Sequence, residues 1–430
     1  MKRKNLIAAL MLTLLALSIP AAAFAEGFGV YEWSAAGTAM GDNYMFGEND
    51  PSVLAYNPAQ ITKLNGSYLS IGTAWVNPAT SVTFNGLKSS VLNRNNSDEW
   101  DNSYSPALIP YMYYAQKAGK NSWWGVAFFA RYGNQIEYDD LWPGRYDTVF
   151  TGVKGVTLQP TYAFKINDKL SAAVGLDINY VQLRMKKDVP AFAPGSITHL
   201  GDIRSDLDGD STNIGWVASL MYDFTPKTSA AVVYRARVKH TMDADINFSG
   251  TLLGLGPQNV STMAHGTVTL PDSLSLGLGH KFNDRTRMEI NATWTNWSTY
   301  NALNLTFDDP ILGNTKSDNP KDWSAAWRIG IGIEHKLSQK WSILGGYVYD
   351  ESPVPDEWMD FTVPTGDRHR GSIGFKYRPN ETSELAFAYT AIWAGNRDVQ
   401  SHIGRADYAS AYIHDGLTQV LSIGYTVKLK

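Results

Sequence analysis

The feature that most constrains this chain is a two-residue alternation of apolar and polar side chains, clearest in residues 322–335. One face would carry Trp323, Ala325, Trp327, Ile329, Ile331 and Ile333. The other would carry Ser324, Ala326, Arg328, Gly330, Gly332 and Glu334. Because successive side chains of a strand point to opposite sides, the pattern predicts a β-strand with one apolar face. A water-soluble β-sandwich would show the same alternation, with the apolar face as its core.

Three features favour a membrane barrel over a sandwich. The predicted strands are roughly ten residues long or more, as a tilted membrane strand requires. Aromatic residues make up 12% of the chain, with 14 Trp and 23 Tyr, and they cluster near predicted strand ends. Tight turns, such as Asn283-Asp284 and Ser338-Gln339, alternate with long loops. This organisation is typical of outer-membrane proteins, so we predict an all-β fold, a transmembrane antiparallel β-barrel.

We count about fourteen predicted strands, an even number as expected for a bacterial barrel. They cover residues 67–84, 105–117, 122–137, 150–166, 169–186, 211–224, 228–249, 264–282, 285–299, 322–337, 340–351, 367–378, 382–396 and 415–430. The long loops between them include residues 187–210, 250–263, 300–321 and 397–414.

The first 25 residues have the organisation of a secretory signal peptide. A basic start, Lys2 to Lys4, precedes an apolar stretch, Leu6 to Leu17, and a small-residue cleavage site at Ala23-Phe24-Ala25. A transmembrane helix is the alternative, but the apolar stretch is short for a span. We therefore expect signal peptide over 1–25 and a mature chain beginning near Glu26.

Composition and motifs exclude several functions. Without the three basic residues of the leader, 34 Lys and Arg face 41 Asp and Glu, a net charge of about −7. No basic run indicates a nucleic-acid partner. Cysteine is absent, and the chain has no Gly-x-Ser-x-Gly, P-loop or His-Glu-x-x-His motif. We therefore expect no enzyme activity, no cofactor and no catalytic metal.

Residues 26–66 differ from everything that follows. The segment is rich in Gly, Ala and Asn, contains Pro51 and Pro58, and shows neither strand alternation nor a long helical stripe. A compact irregular segment must bury its backbone polar groups against a partner. We interpret it as a hatch that plugs the lumen of a barrel formed by residues 67–430.

The ordered motifs of the mature chain resemble a known family. The hatch contains Gly27-Phe28, a Glu32-x-Ser34 pair and the string Asn57-Pro58-Ala59-Gln60-Ile61-Thr62. Later motifs are Tyr132-Gly133, Tyr234-Arg235, Leu270-Pro271, Thr295-x-Trp297-Ser298 and Asp350-x-Ser352-Pro353-Val354-Pro355. In this order and spacing they resemble the FadL-type outer-membrane transporters of long-chain fatty acids, whose relatives include TodX-like transporters of aromatic hydrocarbons.

The resemblance implies a fold, a location and a route. It implies a fourteen-stranded barrel in the outer membrane of a Gram-negative bacterium, closed by an N-terminal hatch. A hydrophobic ligand would lodge in a groove among outer loops and then move to an apolar pocket at the hatch. It would leave sideways into the membrane through a kink in the third strand, without an energy source.

Five residues are candidates for gating. Pro58 restricts Asn57 to extended geometry, so Asn57-Pro58-Ala59 forms a rigid turn whose amide is expected to tie the hatch to the wall. An ordinary loop turn is the alternative. Tyr132-Gly133 interrupts an apolar strand, and glycine within a strand often marks a bulge or bend. The alternative for Gly133 is packing beneath a neighbouring aromatic ring.

Cations and apolar side chains are the candidates for ligand contact. Arg328 is expected to point into the lumen, and the family places basic residues near the positions of Lys187 and Lys321. A buried carboxylate ligand needs such a cation, although lumen cations mostly pair with acidic residues of the wall. Phe28 and Trp33 are unusually apolar for a plug in a polar lumen. Separately, the Asp206, Asp208 and Asp210 series resembles a calcium loop, but its glycine comes too early and the final glutamate is missing.

These observations lead to one functional prediction and its alternatives. We predict passive transport of a hydrophobic small molecule, foremost a long-chain fatty acid, by a monomer surrounded by outer-membrane lipid and lipopolysaccharide. The alternatives are neutral or aromatic hydrocarbons as cargo, a general diffusion porin, or an adhesin acting through its outer loops. An open lumen would be required for a porin, and the hatch opposes it.

Overall fold

A computed structural model describes residues 27–87, 99–101, 106–196, 198–364, 366–403 and 406–429. The predicted signal peptide lies outside the described residues. None of the helices in this part of the chain is both long enough and apolar enough to cross a membrane.

Fourteen long strands form a closed antiparallel barrel. They are β1 Ser67–Leu87, β2 Ala107–Lys117, β3 Ser122–Glu137, β4 Phe150–Lys165, β5 Leu170–Phe192, β6 His199–Thr225, β7 Thr228–Arg235 with Val238–Leu252, β8 Gly256–Leu270 with Ser273–Lys281, β9 Thr286–Thr295, β10 Ala326–Lys336, β11 Trp341–Asp350, β12 Arg368–Asn380, β13 Ser383–Ala394 and β14 Ala406–Leu429. Each strand pairs with its neighbour, and β1 closes the ring on β14 from Ser67↔Leu429 to Leu87↔Ala409. The predicted fold and strand number are confirmed.

The alternation found in the sequence separates the two faces of the wall. On β10, Ile329, Ile331 and Ile333 are exposed on the outside, whereas Arg328 and Glu334 are buried inside. Other strands present outward apolar residues in the same way, including Trp124, Leu158, Val174, Leu220, Leu278, Ile290, Ile343, Ile373, Tyr389 and Leu421. This apolar outer band is the surface that a barrel offers to lipid.

The upper part of the barrel is taller than predicted. Residues 187–210 were expected as a loop, but β5 and β6 remain paired from Leu170↔Tyr222 to Phe192↔His199. The reason is that the alternation of apolar and polar side chains continues through these residues. Val189, Ile203 and Leu207 pack on the interior side of the paired β5–β6 extension.

The acidic series that was assigned to a loop is therefore part of a strand. Asp206, Asp208 and Asp210 lie within β6, where an extended backbone cannot wrap their carboxylates around one ion. Asp206 instead forms ion pairs with Arg184 and Lys186 on β5.

Other predicted connections are also partly strand. Residues 250–263 contain a tight turn at 253–255 between extended strands, and residues 300–321 contain a hairpin of Leu305–Ile311 and Asn314–Ser317. Two further short strands are Glu99–Asp101 and Arg397–Ile403. The predicted single strands 228–249 and 264–282 are each interrupted, the second at Pro271, which has no N–H to donate to a ladder.

The hatch, residues 27–66, lies inside the barrel. It contains two short helices, α1 Ala35–Ala39 and α2 Val53–Tyr56, and a 3-10 helix, Pro58–Lys63. The Ser34 hydroxyl caps α1 by accepting from Gly37 N at 3.0 Å. Close contact with the wall depends on glycine at Gly346 of β11, because a Cβ there would lie 2.1 Å from the carbonyl carbon of Met40.

Candidate functional site

An apolar cavity of about 310 Å³ opens among the upper strands and outer loops. Its walls come from β5, β6, β7, the hairpin of residues 305–317 and the segment around 358–362. The apolar lining includes Met185, Val189, Leu207, Ile246, Phe248, Leu303, Leu305, Phe307, Ile311 and Met359. This outer cavity lies among the outer loops and the upper ends of the strands.

Four charged side chains meet at this outer cavity and the pocket beneath it. Lys187 and Asp147 line the outer cavity, and Lys321 forms an ion pair with Asp360. Burial disfavours charge on both partners of that pair, but their mutual attraction outweighs it, raising the pKa of Lys321 and lowering that of Asp360. Within the described part of the chain, Lys187 Nζ has no ion pair.

A second, nearly filled pocket lies deeper, with a volume of about 40 Å³. Met185, Leu303 and Thr362 line both this pocket and the outer cavity, so the two adjoin. Lys321 and Phe28 also line the inner pocket. Because this volume holds only a few water molecules, a larger ligand must displace side chains to enter.

Phe28 of the hatch sits in an aromatic cage. Its ring centroid lies 4.6 Å from that of Trp297, 5.5 Å from Tyr300, 5.7 Å from Trp323 and 6.0 Å from Tyr132. Edge-to-face contacts of this kind favour a packed, apolar environment. The cage therefore joins the hatch, β3 and the segment that precedes β10. It lies beside the inner pocket, which Phe28 and Tyr300 also line.

The wall is incomplete beside this cage. Pairing between β2 and β3 runs from Lys117↔Trp123 to Met112↔Phe128 and goes no further among the described residues. Above it, β3 carries a bulge between Ala130 and Tyr132. The hatch fills the opening, because Val30 N donates to Arg131 O at 2.8 Å and Gly133 N donates to Phe28 O at 2.9 Å.

The irregularity of β3 was expected at Gly133, and the structure places the bulge two residues earlier, at Arg131. Trp33 anchors the hatch just below it, since its indole N–H donates to Ala130 O at 2.8 Å. The predicted residues Phe28, Trp33, Tyr132 and Gly133 are thus brought together around one opening in the wall.

Arg328 lies elsewhere and has a different environment. Its guanidinium donates to Gly41 O at 3.0 Å and pairs with Asp42 at 3.1 Å. Arg370 of β12 pairs with the same Asp42 at 2.9 Å and with Glu32 at 2.5 Å. Burial, only partly offset by the two arginines, raises the pKa of Asp42 to about 6. Arg328 is therefore a hatch-to-wall contact and not a cation lining either cavity.

In the turn Asn57-Pro58-Ala59, the amide that reaches the wall belongs to Ala59 and not to the Asn57 side chain. The Asn57 Nδ2 donates to Met45 O at 3.2 Å, a contact within the hatch. The backbone N–H of Ala59, the last residue of this turn, donates to Ser219 Oγ on β6 at 2.8 Å. Pro58 begins the 3-10 helix and Asn57 is extended, at φ −150°, as a residue before proline prefers.

Several important residues were not identified from the sequence. Arg370 was overlooked as a hatch contact, and Asp147 and Asp360 were not associated with the lysines. Their partners are far away in the chain, so no local spacing indicates them. The aromatic pair Trp297 and Trp323 had a sequence signal, because both are tryptophans at the ends of predicted strands.

Comparison with known proteins identifies the family. The family model described as "Outer membrane protein transport protein (OMPP1/FadL/TodX)" matches residues 16–428. The chain is 24% identical over 411 residues to a long-chain fatty acid transport protein of Salmonella typhi, covering 90% of this chain and 91% of that one.

Solved structures show the same fold. A FadL homologue of Pseudomonas aeruginosa superposes with a TM-score of 0.83 at 19% identity, covering 94% of this chain and all of that one. The toluene transporter TodX of P. putida gives a TM-score of 0.72 at 16% identity, covering 93% and 99%. The chain belongs to the OMPP1/FadL/TodX family of outer-membrane transport proteins, which are not enzymes, and is itself an integral β-barrel of the outer membrane.

Proposed function

We propose that this protein passively transports long-chain fatty acids. The observation that carries the proposal is Lys187, which has no ion pair among the described residues and stands beside apolar side chains on the wall of the outer cavity. β5 directs Met185, Lys187 and Val189 inward, so the charge stands between apolar neighbours. A charge in such a place is costly unless a partner arrives, and a ligand carboxylate is that partner.

The proposed route follows the cavities downward. A fatty acid first buries its chain in the outer cavity, with a gain of roughly 25 cal/mol per Å² of apolar surface removed from water. It then displaces side chains of the inner pocket and reaches Phe28. Release would occur sideways, past Gly133, once the segment 28–30 leaves the opening between β2 and β3. No step requires an energy source, because the ligand moves toward lipid.

A binding comparison tests the substrate. We expect purified protein in detergent to bind a long-chain fatty acid more tightly than the neutral alcohol of equal length. Lys187→Ala should erase this difference, weakening the acid by roughly tenfold to a hundredfold, since hydrogen bonds to charged groups contribute about 1.5–3 kcal/mol. Alcohol binding should change little.

A matched control is Lys186→Ala, the neighbouring lysine on β5, which pairs with Asp206 outside the cavity. Its substitution should leave both ligands unaffected. If acid and alcohol bind wild-type protein equally, the cavity recognises only the apolar chain of the ligand. A neutral hydrocarbon then becomes the better candidate substrate. If neither binds, the transporter proposal fails for both ligand classes.

We also propose that the barrel works as a monomer in contact with outer-membrane lipid and lipopolysaccharide. Support comes from the outward apolar side chains, which are exposed to the surroundings on most strands of the described ring, from β3 to β6 and from β8 to β14. Sedimentation in detergent should give the mass of one chain.

A further inference from the structure

A third cavity, with a volume of about 40 Å³, lies between the hatch and the wall. Two arginines line it, Arg131 of β3 and Arg235 of β7, together with residues 29–31 of the hatch. Hydroxyl-bearing side chains of the facing strands complete the lining: Ser273, Ser275, Thr293 and Thr295. This space, the arginine cavity, can hold a few water molecules or one carboxylate group.

The guanidinium of Arg131 is buried with most of its hydrogen-bonding capacity unused. A guanidinium has five N–H donors. Among the described residues it finds one acceptor, Asp177, whose Oδ2 lies 3.1 Å from Nη1. The side chain is only 6% exposed, so bulk water has little access to the other donors. Buried donors without acceptors are costly, and an acceptor inside the arginine cavity would remove that cost.

The carboxylate that Arg131 contacts is shared with the second arginine. Asp177 is fully buried, and Arg235 Nη1 also pairs with it at 3.1 Å. The Arg235 guanidinium donates in addition to Gln159 Oε1 at 2.7 Å and to Ala55 O at 2.6 Å. Two buried cations thus face one buried anion among the described residues, and the unused donors belong to Arg131. A buried charge that is not fully compensated favours an anionic partner.

The arginine cavity lies next to the opening in the wall. Arg131 is the extra residue of the β3 bulge, and its carbonyl accepts the hydrogen bond from Val30 N that holds the hatch segment in the gap. Trp297 lines this cavity and packs against Phe28, which lines the inner pocket. The Phe28 cage therefore separates the inner pocket from the arginine cavity. Displacement of the segment 28–30 would connect both spaces to the opening.

We propose, building on the fatty-acid function above, that Arg131 is a second carboxylate-binding residue, which receives the head group of the ligand at the opening. The acyl chain passes the Phe28 cage first and reaches lipid through the gap. The carboxylate then leaves Lys187 and crosses the aromatic rings, a step that is costly while the charge has no partner. Binding at Arg131 lowers that cost, whereas a neutral ligand gains nothing from it. No covalent bond changes.

Uptake of two matched ligands tests the proposal. The probes are a long-chain fatty acid and the alcohol of equal length, each followed by its initial rate of uptake into vesicles that contain the protein. Arg131→Gln removes the charge and keeps a neutral N–H donor. We expect it to slow uptake of the acid by roughly tenfold to a hundredfold, the effect of losing a hydrogen bond to a charged group in the transition state.

Three other measurements on these variants should show no loss. Uptake of the alcohol by Arg131→Gln should match that of wild type. Equilibrium binding of the acid, which Lys187 governs, should also be unchanged, and this result shows that the variant is folded. Arg131→Lys, which restores the positive charge, should recover most of the rate of acid uptake.

A second variant fills the arginine cavity and leaves the arginines in place. Ser275→Asp adds a carboxylate to the lining, where it can pair with Arg131 and take the site of the ligand. It should slow uptake of the acid as Arg131→Gln does. The matched control is Ser275→Asn, which adds similar bulk without charge and should transport the acid at the wild-type rate.

The outcomes separate this proposal from the function on which it rests. Acid uptake at the wild-type rate in Arg131→Gln and Ser275→Asp would overturn the role of Arg131, and Ser275→Asp alone decides if Arg131→Gln does not fold. Equal slowing of acid and alcohol by Arg131→Gln would also overturn it, because the residue would then only support the structure. Wild-type protein that binds the acid no better than the alcohol would instead overturn the fatty-acid function itself.

Discussion

Replacing Arg370 with alanine should detach the hatch from the barrel wall. Arg370 is fully buried and pairs with both Glu32 and Asp42 of the hatch. Its removal leaves two buried carboxylates with only Arg328 nearby, and breaking a buried pair in this way costs about 3–5 kcal/mol. Hydrogen exchange of residues 27–66 should accelerate by a factor of roughly 10² to 5 × 10³, reflecting that free energy.

The barrel itself should survive this substitution, because its backbone ladders are untouched. A matched control is Arg378→Ala on the same strand, whose partners Glu334 and Glu384 belong to the barrel. That variant should leave hatch exchange unchanged. Adding Glu32→Gln and Asp42→Asn to Arg370→Ala should restore part of the protection by removing the unpaired charges. Unchanged hatch exchange in Arg370→Ala would show that the two ion pairs do not hold the hatch.

The second large effect is expected at the opening in the wall. Gly133→Phe places an aromatic ring at the rim of the gap that the hatch segment 28–30 fills. Gly133 is not among the residues with positive φ, so its backbone accepts a side chain. Overpacking typically costs about 1–3 kcal/mol. If this cost raises the activation free energy of ligand passage, uptake should fall by roughly tenfold to a hundredfold.

Binding separates this effect from misfolding. The outer cavity lies above the gap, so Gly133→Phe should still bind the fatty acid with normal affinity while uptake by reconstituted vesicles falls. The control Val126→Phe places the same aromatic ring on β3 where that strand remains paired with β2 and β4. It should leave uptake intact. Equal uptake by Gly133→Phe and wild type, with binding preserved, would exclude release past this residue.

Much of the architecture was encoded locally. The alternation specified β10 from Ala326 onward and the lipid face of its isoleucines, although Trp323, expected on that face, is buried in the aromatic cage. The irregular composition of residues 26–66 indicated a segment without regular strands. Both signals are local because the period of a side-chain pattern depends only on the backbone of its own element. The same two-residue period continues through residues 187–210, where β5 and β6 extend. The many polar residues there led to the prediction of a loop.

Other features depended on the tertiary structure alone. A two-residue period specifies which face a side chain occupies but not its partner across the lumen. Arg370 meets Glu32 across 338 positions of sequence. The meeting of Lys187 with Asp147 and of Lys321 with Asp360 is likewise long-range. The sequence by itself therefore determined the barrel, its lipid face and its plug, whereas only closure of the wall around the hatch decided which charges pair, because that pairing depends on long-range register and depth.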